Sequence, residues 1–260
     1  MEQAFDITYI VRYLPKLLGT LGLTLSIVAG AVGLGLIAGF LIALPRLYGI
    51  PVLRQAAQVY VSFFRGTPVL IQLFLFYYGL PELLKLAAID VTKAPVLLFV
   101  ILTYGLHVGA YFSEAIRAAV AAVDRGQAEA AYAVGMTGAQ AFGRIVLPQA
   151  LAVAVPVFAN LVIALLKDTS LAFTLGIMEM SGKAGTLGAL TQHFLEAYLA
   201  LALIYLAVSL TLGKLFALGE SRLLRHERQE RQSGSPSARR PSSLRRLWSS
   251  PSFSRGGSVR

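Results

Sequence analysis

Residues 124–148, DRGQAEAAYAVGMTGAQAFGRIVLP, decide how this chain is read. They form the longest polar-to-mixed passage between two strongly apolar segments. Asp124 followed by Gln127, and Thr137 followed by Gln140, each have the spacing of a capping box, in which a side chain satisfies the free N–H groups of a helix N-terminus. Gly135 lies between them, where a helix can end on a residue free to take positive φ. The spacing predicts a short helix, a sharp turn and a second short helix, with Pro148 opening the next apolar segment.

On either side the chain is too apolar for a soluble domain. Hydrophobic residues make up 56% and charged residues only 14% of its 260 residues, a balance that belongs to a membrane. Several runs approach the roughly 20 residues that a helix needs to cross a bilayer. Backbone groups in hydrocarbon must be satisfied internally, so the spans are expected to be helices. Five are expected, over residues 20–44, 55–80, 95–122, 147–166 and 197–218, with residues 124–146 held between the third and fourth. Gly35 and Gly39 in the first span have the spacing that lets two membrane helices approach closely. Pro45 to Arg54 reads as a polar turn, residues 81–94 as a loop, and residues 1–19 as an interfacial lead-in. Acidic Glu2 and Asp6 argue against a cleaved signal peptide.

The formal charge of +10 points at first to nucleic acid, but ten arginines and two glutamates lie in residues 221–260. The basicity belongs to the end of the chain. Rich in Arg, Ser, Pro and Gly, residues 226–260 are expected to be a disordered tail, dispensable to the membrane body formed by residues 1–225. Lys and Arg counted by loop favour the side carrying residues 45–54, 123–146 and the C-terminus as cytoplasmic, with the N-terminus outside. That inference leans on the tail.

Catalysis has little support. His107, His193 and His226 lack metal-ligand spacing, and the chain has no cysteine. Ser181-Gly182-Lys183-Ala184 imitates a phosphate-binding loop but has Ile177 where the first glycine belongs and Ala184 where Ser or Thr belongs. The chain is therefore expected to bind no ATP, metal or other cofactor. Arg65 is more informative. A helix carries it about 16 Å beyond Arg54, deep in the bilayer, where a bare guanidinium is costly. Gly66 and Pro68 would interrupt the helix beside it, a device that frees backbone groups around a ligand. Arg65, Thr67, Gln72, Asn160, Asp168 and Ser170 are the candidate residues of a solute path. A packing role for Arg65 in a plain kink is the competing reading. Glu114 and Arg117, three apart, are expected to pair.

Glu129-Ala130-Ala131, three residues, Gly135, nine residues and Ile145-Val146-Leu147-Pro148 fit the pattern EAA-x3-G-x9-I-x-L-P. In this the chain resembles the permeases of ABC importers. Arg65-Gly66-Thr67-Pro68 leading to Gln72, and Leu166-Lys167-Asp168-Thr169-Ser170-Leu171, resemble the polar amino acid (HisMQ-type) branch. The likeness covers about residues 14–225. It implies an all-α membrane protein with the type I importer fold and a cytoplasmic coupling helix between the third and fourth spans. It further implies a dimer with an identical or sister permease, two ATPase subunits that bind ATP and magnesium, and an extracytoplasmic solute-binding protein. Glu129, Ala130, Ala131 and Gly135 would then seat in the ATPase. A permease for an opine or a sugar acid shares these motifs, and a gated channel is the alternative from a different class.

Overall fold

In a computed structural model of the protein, residues 5–223 are described, and all regular structure among them is helical. The chain divides into Met1–Leu224 and Arg225–Arg260, and the fold is that of the first unit. Helix α1 (Ile7–Leu18) starts on Asp6, whose carboxylate accepts the Thr8 N–H at 2.8 Å. Next come α2 (Leu21–Tyr48), α3 (Pro51–Gly66) and α4 (Val69–Leu86), the last with a π-helical turn at Leu75–Gly79. Helix α5 (Val96–Ala121) leads to the short helices α6 (Arg125–Ala133) and α7 (Gly138–Ala141). Helix α8 (Leu147–Asp168) runs into a 3₁₀ turn at Thr169–Leu175, and α9 (Met180–Thr191) and α10 (Phe194–Leu223) complete the unit. Among the described residues, five segments are long and apolar enough to cross a membrane: Leu21–Tyr48, Val69–Leu86, Val96–Ala121, Gly138–Leu175 and Phe194–Ser221.

The tightest packing is between α2 and α5, and glycine makes it possible. Gly30 lies opposite Ile101, Gly35 opposite Val108 and Gly39 opposite Phe112. Contacts advance together along both chains, so the first and third spans run parallel, as one intervening span requires. A Cβ at Gly35 would fall 2.4 Å from Val108 Cγ1, and one at Gly39 would fall 2.7 Å from Phe112 Cβ. In hydrocarbon, where no water is released by apolar contact, such backbone approach supplies the van der Waals energy that holds helices together. Around this seam Ile27, Leu73, Val100, Tyr104, Leu165 and Leu166 form the main buried cluster. A second cluster, with Tyr13, Leu17, Met180 and Ala197, fastens α1 to α9 and α10. The lead-in is thus a packed amphipathic helix.

Several boundaries differ from expectation, and proline explains most of them. The first span continues through Pro45 to Tyr48 and stops at Gly49, whose φ is +71°. A proline removes one N–H from the ladder and leaves the hydrogen bonds of the following turn intact, so the helix can run on past it. The fourth helix likewise continues through Pro81 to Leu86, shortening the expected loop. The span expected over 55–80 is interrupted at Arg65-Gly66-Thr67-Pro68 as expected, because Thr67 and Pro68 leave the helical region (φ −120°, ψ 146° and φ −62°, ψ 137°), but the two halves are separate helices. The membrane-length piece is Val69–Leu86. Pro148 does not separate α7 from α8: a π-helical turn at Phe142–Val146 fuses them. The wider turn accommodates the proline ring, and Gln149 Nε2 returns to the Ile145 carbonyl at 3.0 Å. The tail expectation for residues 226–260 lies outside the described residues.

Candidate functional site

The stretch between α5 and α8 is built as a rigid knob. Asp124 caps α6 by accepting the Gly126 N–H at 2.7 Å, so its partner is Gly126 and not Gln127. The other end closes in a Schellman motif. Met136 N–H donates to Ala131 O at 3.1 Å, Gly135 N–H donates to Tyr132 O at 3.0 Å, and Gly135 takes φ +83°. Two residues on, Thr137 and Gln140 form a complete capping box on α7. Every free backbone group of the turn that these motifs can reach is therefore used. Of the coupling candidates, Ala131 is buried inward, while Glu129, Ala130 and Gly135 face outward. Tyr132 (54% exposed) and Val134 (77% exposed) stand beside them. A short, fully capped helix presenting a carboxylate, a methyl group and two large apolar side chains is shaped for a protein groove.

A second constellation surrounds the helix break at Gly66–Pro68. Gln72 is fully buried, and its Nε2 donates to Phe64 O (2.9 Å), Thr67 O (3.0 Å) and Thr67 Oγ1 (2.8 Å). Its Oε1 meets His107 Nδ1 at 2.8 Å. Gln72 thus closes the break from inside the protein, while half-buried Thr67 accepts from it and donates its hydroxyl to Phe63 O at 2.8 Å. Arg65 is different. It lies level with Tyr111 and Glu114 of α5, its guanidinium 5.5 Å from the Tyr111 ring centroid and 4.0 Å from Glu114 Oε1. Glu114 is seven residues from the end of α5 at Ala121, about 10 Å along the helix. Arg54 and Arg65 do share one continuous helix, α3, but α3 is not a membrane-length span, so Arg65 sits towards the knob-side end of α5 and not deep along a span of its own. Glu114 is already engaged: Arg46 Nη1 stands 2.5 Å from Oε1, and Arg117 donates to Oε2 from Nε (3.2 Å) and Nη2 (3.0 Å). The expected Glu114–Arg117 pair exists within a four-residue cluster.

The third constellation lies where α8 ends. A cavity of about 530 Å³ is lined by Lys167, Ser170, Phe173, Ser181, Tyr198 and Tyr205, among others. Behind it Glu179 is completely buried, accepting the Gly182 N–H at 2.9 Å and facing the Tyr205 hydroxyl at 3.4 Å. Burial pushes the Glu179 carboxyl above its ordinary range, against the hydrogen bonds from Ser181, Gly182 and Tyr205. Asp168 is half-buried and gives its backbone carbonyl to the Tyr104 hydroxyl at 2.6 Å. Asn160 is exposed on α8, in the stripe with Val153, Val157 and Lys167.

Of the six solute-path candidates, Ser170 lines this cavity beside Lys167, Asp168 is close to it in sequence, and Arg65, Thr67 and Gln72 gather at the break. Asn160 joins neither group. Two residues of these constellations escape a reading by sequence: Glu114 as the hub of three arginines, and Glu179. Glu114 had a signal, since an acid inside a span needs a partner. Glu179 precedes an ordinary-looking Met-Ser-Gly-Lys and had none.

A family model described as "Binding-protein-dependent transport system inner membrane component" matches residues 31–225. The chain is 46% identical over 227 residues to the L-cystine transport system permease protein TcyL of Bacillus subtilis (strain 168), covering 87% of this chain and 95% of that one. It is 44% identical over 220 residues to the probable amino-acid ABC transporter permease protein PatM of Vibrio harveyi, covering 84% and 96%. A solved structure described as an amino acid ABC transporter with histidines superposes with a TM-score of 0.75 at 32% identity, covering 85% of this chain and all of that chain.

Proposed function

The chain belongs to the family of binding-protein-dependent transport system inner membrane components, and we propose that it is the permease subunit of an ATP-driven importer of amino acids. ATP is hydrolysed on separate ATPase subunits, and this chain carries no cofactor. The observation that carries the coupling assignment is the capped knob with its outward Glu129 and Ala130. Force delivered there must move two membrane spans, because the knob is joined to α5 on one side and, through the continuous π-turn, to α8 on the other. A floppy loop would absorb the stroke. A turn closed by Schellman and capping-box hydrogen bonds passes it on. The small Ala130 lets a partner surface approach, Glu129 offers an anion to a basic groove, and Gly135 fixes the direction of the chain. The knob faces the cytoplasm, with the C-terminus on the same side and the N-terminus outside. Two copies, or this chain with a sister permease, enclose the path, and a binding protein docks on the outer face.

Amino acids are the proposed solute because TcyL and PatM are described as cystine and amino-acid permeases and because the cavity beside Lys167 offers a cation with Ser170, Ser181 and Tyr205 as hydrogen-bonding groups. A zwitterion needs such a mixture. Reconstitution in vesicles with cognate ATPase and binding protein, supplied with a panel of amino acids including L-cystine, tests the reading. ATP-dependent uptake of one or more of them is expected. Solute flux that continues unchanged without ATP hydrolysis overturns it.

A further inference from the structure

Resting on the transport reading, we propose that Arg65 is a carboxylate seat on the cytoplasmic half of the path, and that Glu114 is the counter-charge that occupies it between solutes. Three guanidiniums converge on one carboxylate: Arg46 at 2.5 Å, Arg117 at 3.0 Å and Arg65 at 4.0 Å. Two of them satisfy it. Arg46 and Glu114 are largely enclosed, their side chains 12% and 19% exposed. Arg65 is 47% exposed, and at 4.0 Å it is attracted without being hydrogen-bonded. None of its donors makes a hydrogen bond among the described residues; Tyr111 supports it only through its ring face.

The cluster is thus short of negative charge, and Arg65 is the member free to receive more. A guanidinium presents a planar fork that matches a carboxylate on two hydrogen bonds. Its position gives that fork a purpose. Arg65 immediately precedes the helix break, where Gln72 has consumed the Phe64 and Thr67 carbonyls. It is the polar side chain of the break that points outward. The break also ends on the N-terminus of α4, the positive end of that helix. The Val69–Phe74 part of α4, which follows the break, packs against the 3₁₀ turn that carries Ser170.

Glu114 then supplies release. A carboxylate on Arg65 must compete with the Glu114 charge 4.0 Å away, so binding is weakened without being abolished, and the departing solute is replaced by an anion already in place. Glu114 is a positioning residue in this scheme and need not touch the solute.

The test uses the permease–ATPase complex reconstituted in vesicles: equilibrium binding of radiolabelled L-cystine, or of whichever panel amino acid the unaltered complex transports, is measured without binding protein, and uptake is measured in parallel with it. Unlabelled parent and its α-carboxamide compete. Replacing Arg65 leaves Arg46, Glu114 and Arg117 paired, so folding is preserved. The unaltered complex is expected to prefer parent over carboxamide about tenfold, the size of one charge-assisted hydrogen bond. Arg65→Gln should bring the ratio close to one, while Arg65→Lys keeps most of it. A ratio unchanged in Arg65→Gln overturns the proposal. So does dependence of that ratio on the phosphatidylglycerol content of the vesicles alone, which would assign Arg65 to a lipid phosphate, or absence of binding by a complex that still transports. Failure of the unaltered complex to transport any amino acid overturns the transport reading instead.

Discussion

Gly135 offers the sharpest test of the knob because its side of the turn is empty. A Cβ added there meets nothing within 4 Å, so a substitution acts through the backbone alone. Its φ of +83° costs an ordinary L-residue about 1–2 kcal/mol, less for Asn, which tolerates the left-handed region, and more for a β-branched residue. At 1.4 kcal/mol per factor of ten, the turn conformer should lose about 5–30-fold against alternatives that break the bonds from Gly135 to Tyr132 and Met136 to Ala131. The expected order of damage is Gly135→Asn, then Gly135→Ala, then Gly135→Val. Membrane insertion should be unchanged, because the turn touches no span core. The assay is co-purification with the ATPase, together with uptake per ATP hydrolysed in vesicles. Gly135→Asp should abolish uptake by adding charge to the same strain. Full coupling in Gly135→Val would show that the knob is not the point where force enters.

Further outcomes follow from the packing. Gly39→Leu should cost about 1–3 kcal/mol or more by forcing α2 from α5, where even a Cβ would be 2.7 Å from Phe112; thermal unfolding in detergent would reveal it. Gln72→Leu should destabilise by about 1–3 kcal/mol, because it leaves the buried Phe64 and Thr67 carbonyls without a partner, and uptake should fall with it. Glu179 has its carboxyl raised by burial, so the native state binds its proton more tightly than the unfolded chain. Its contribution is present below the ordinary carboxyl range and is lost as pH rises through the elevated value. Glu179→Gln should therefore flatten the melting temperature across that window. Truncation at about residue 228 should leave uptake intact.

The knob was legible residue by residue because its rules are local. A capping box, a left-handed glycine and a proline act over a few positions, so Thr137–Gln140 and Gly135 appear in the structure with the geometry their spacing requires. Its N-terminal cap was half legible: Asp124 holds Gly126, since a short side chain reaches the nearer N–H. The break at Gly66–Pro68 was equally visible, but what fills it was not. Gln72 looked like a solute ligand, and only the packed structure turned it inward to the carbonyls and His107.

Composition and periodicity determined that this chain is a bundle of membrane helices, since hydrocarbon leaves the backbone no other solution. They also determined where its knob begins and ends. Helix continuity through Pro45, Pro81 and Pro148 became visible only in the tertiary structure, because a proline deletes one local hydrogen bond and does not by itself decide whether the next turn continues. So did the arrival of Arg46 and Arg65 at the Glu114–Arg117 pair that spacing had predicted. Those residues lie on three helices, and charges brought together by packing carry no mark in the order of the chain.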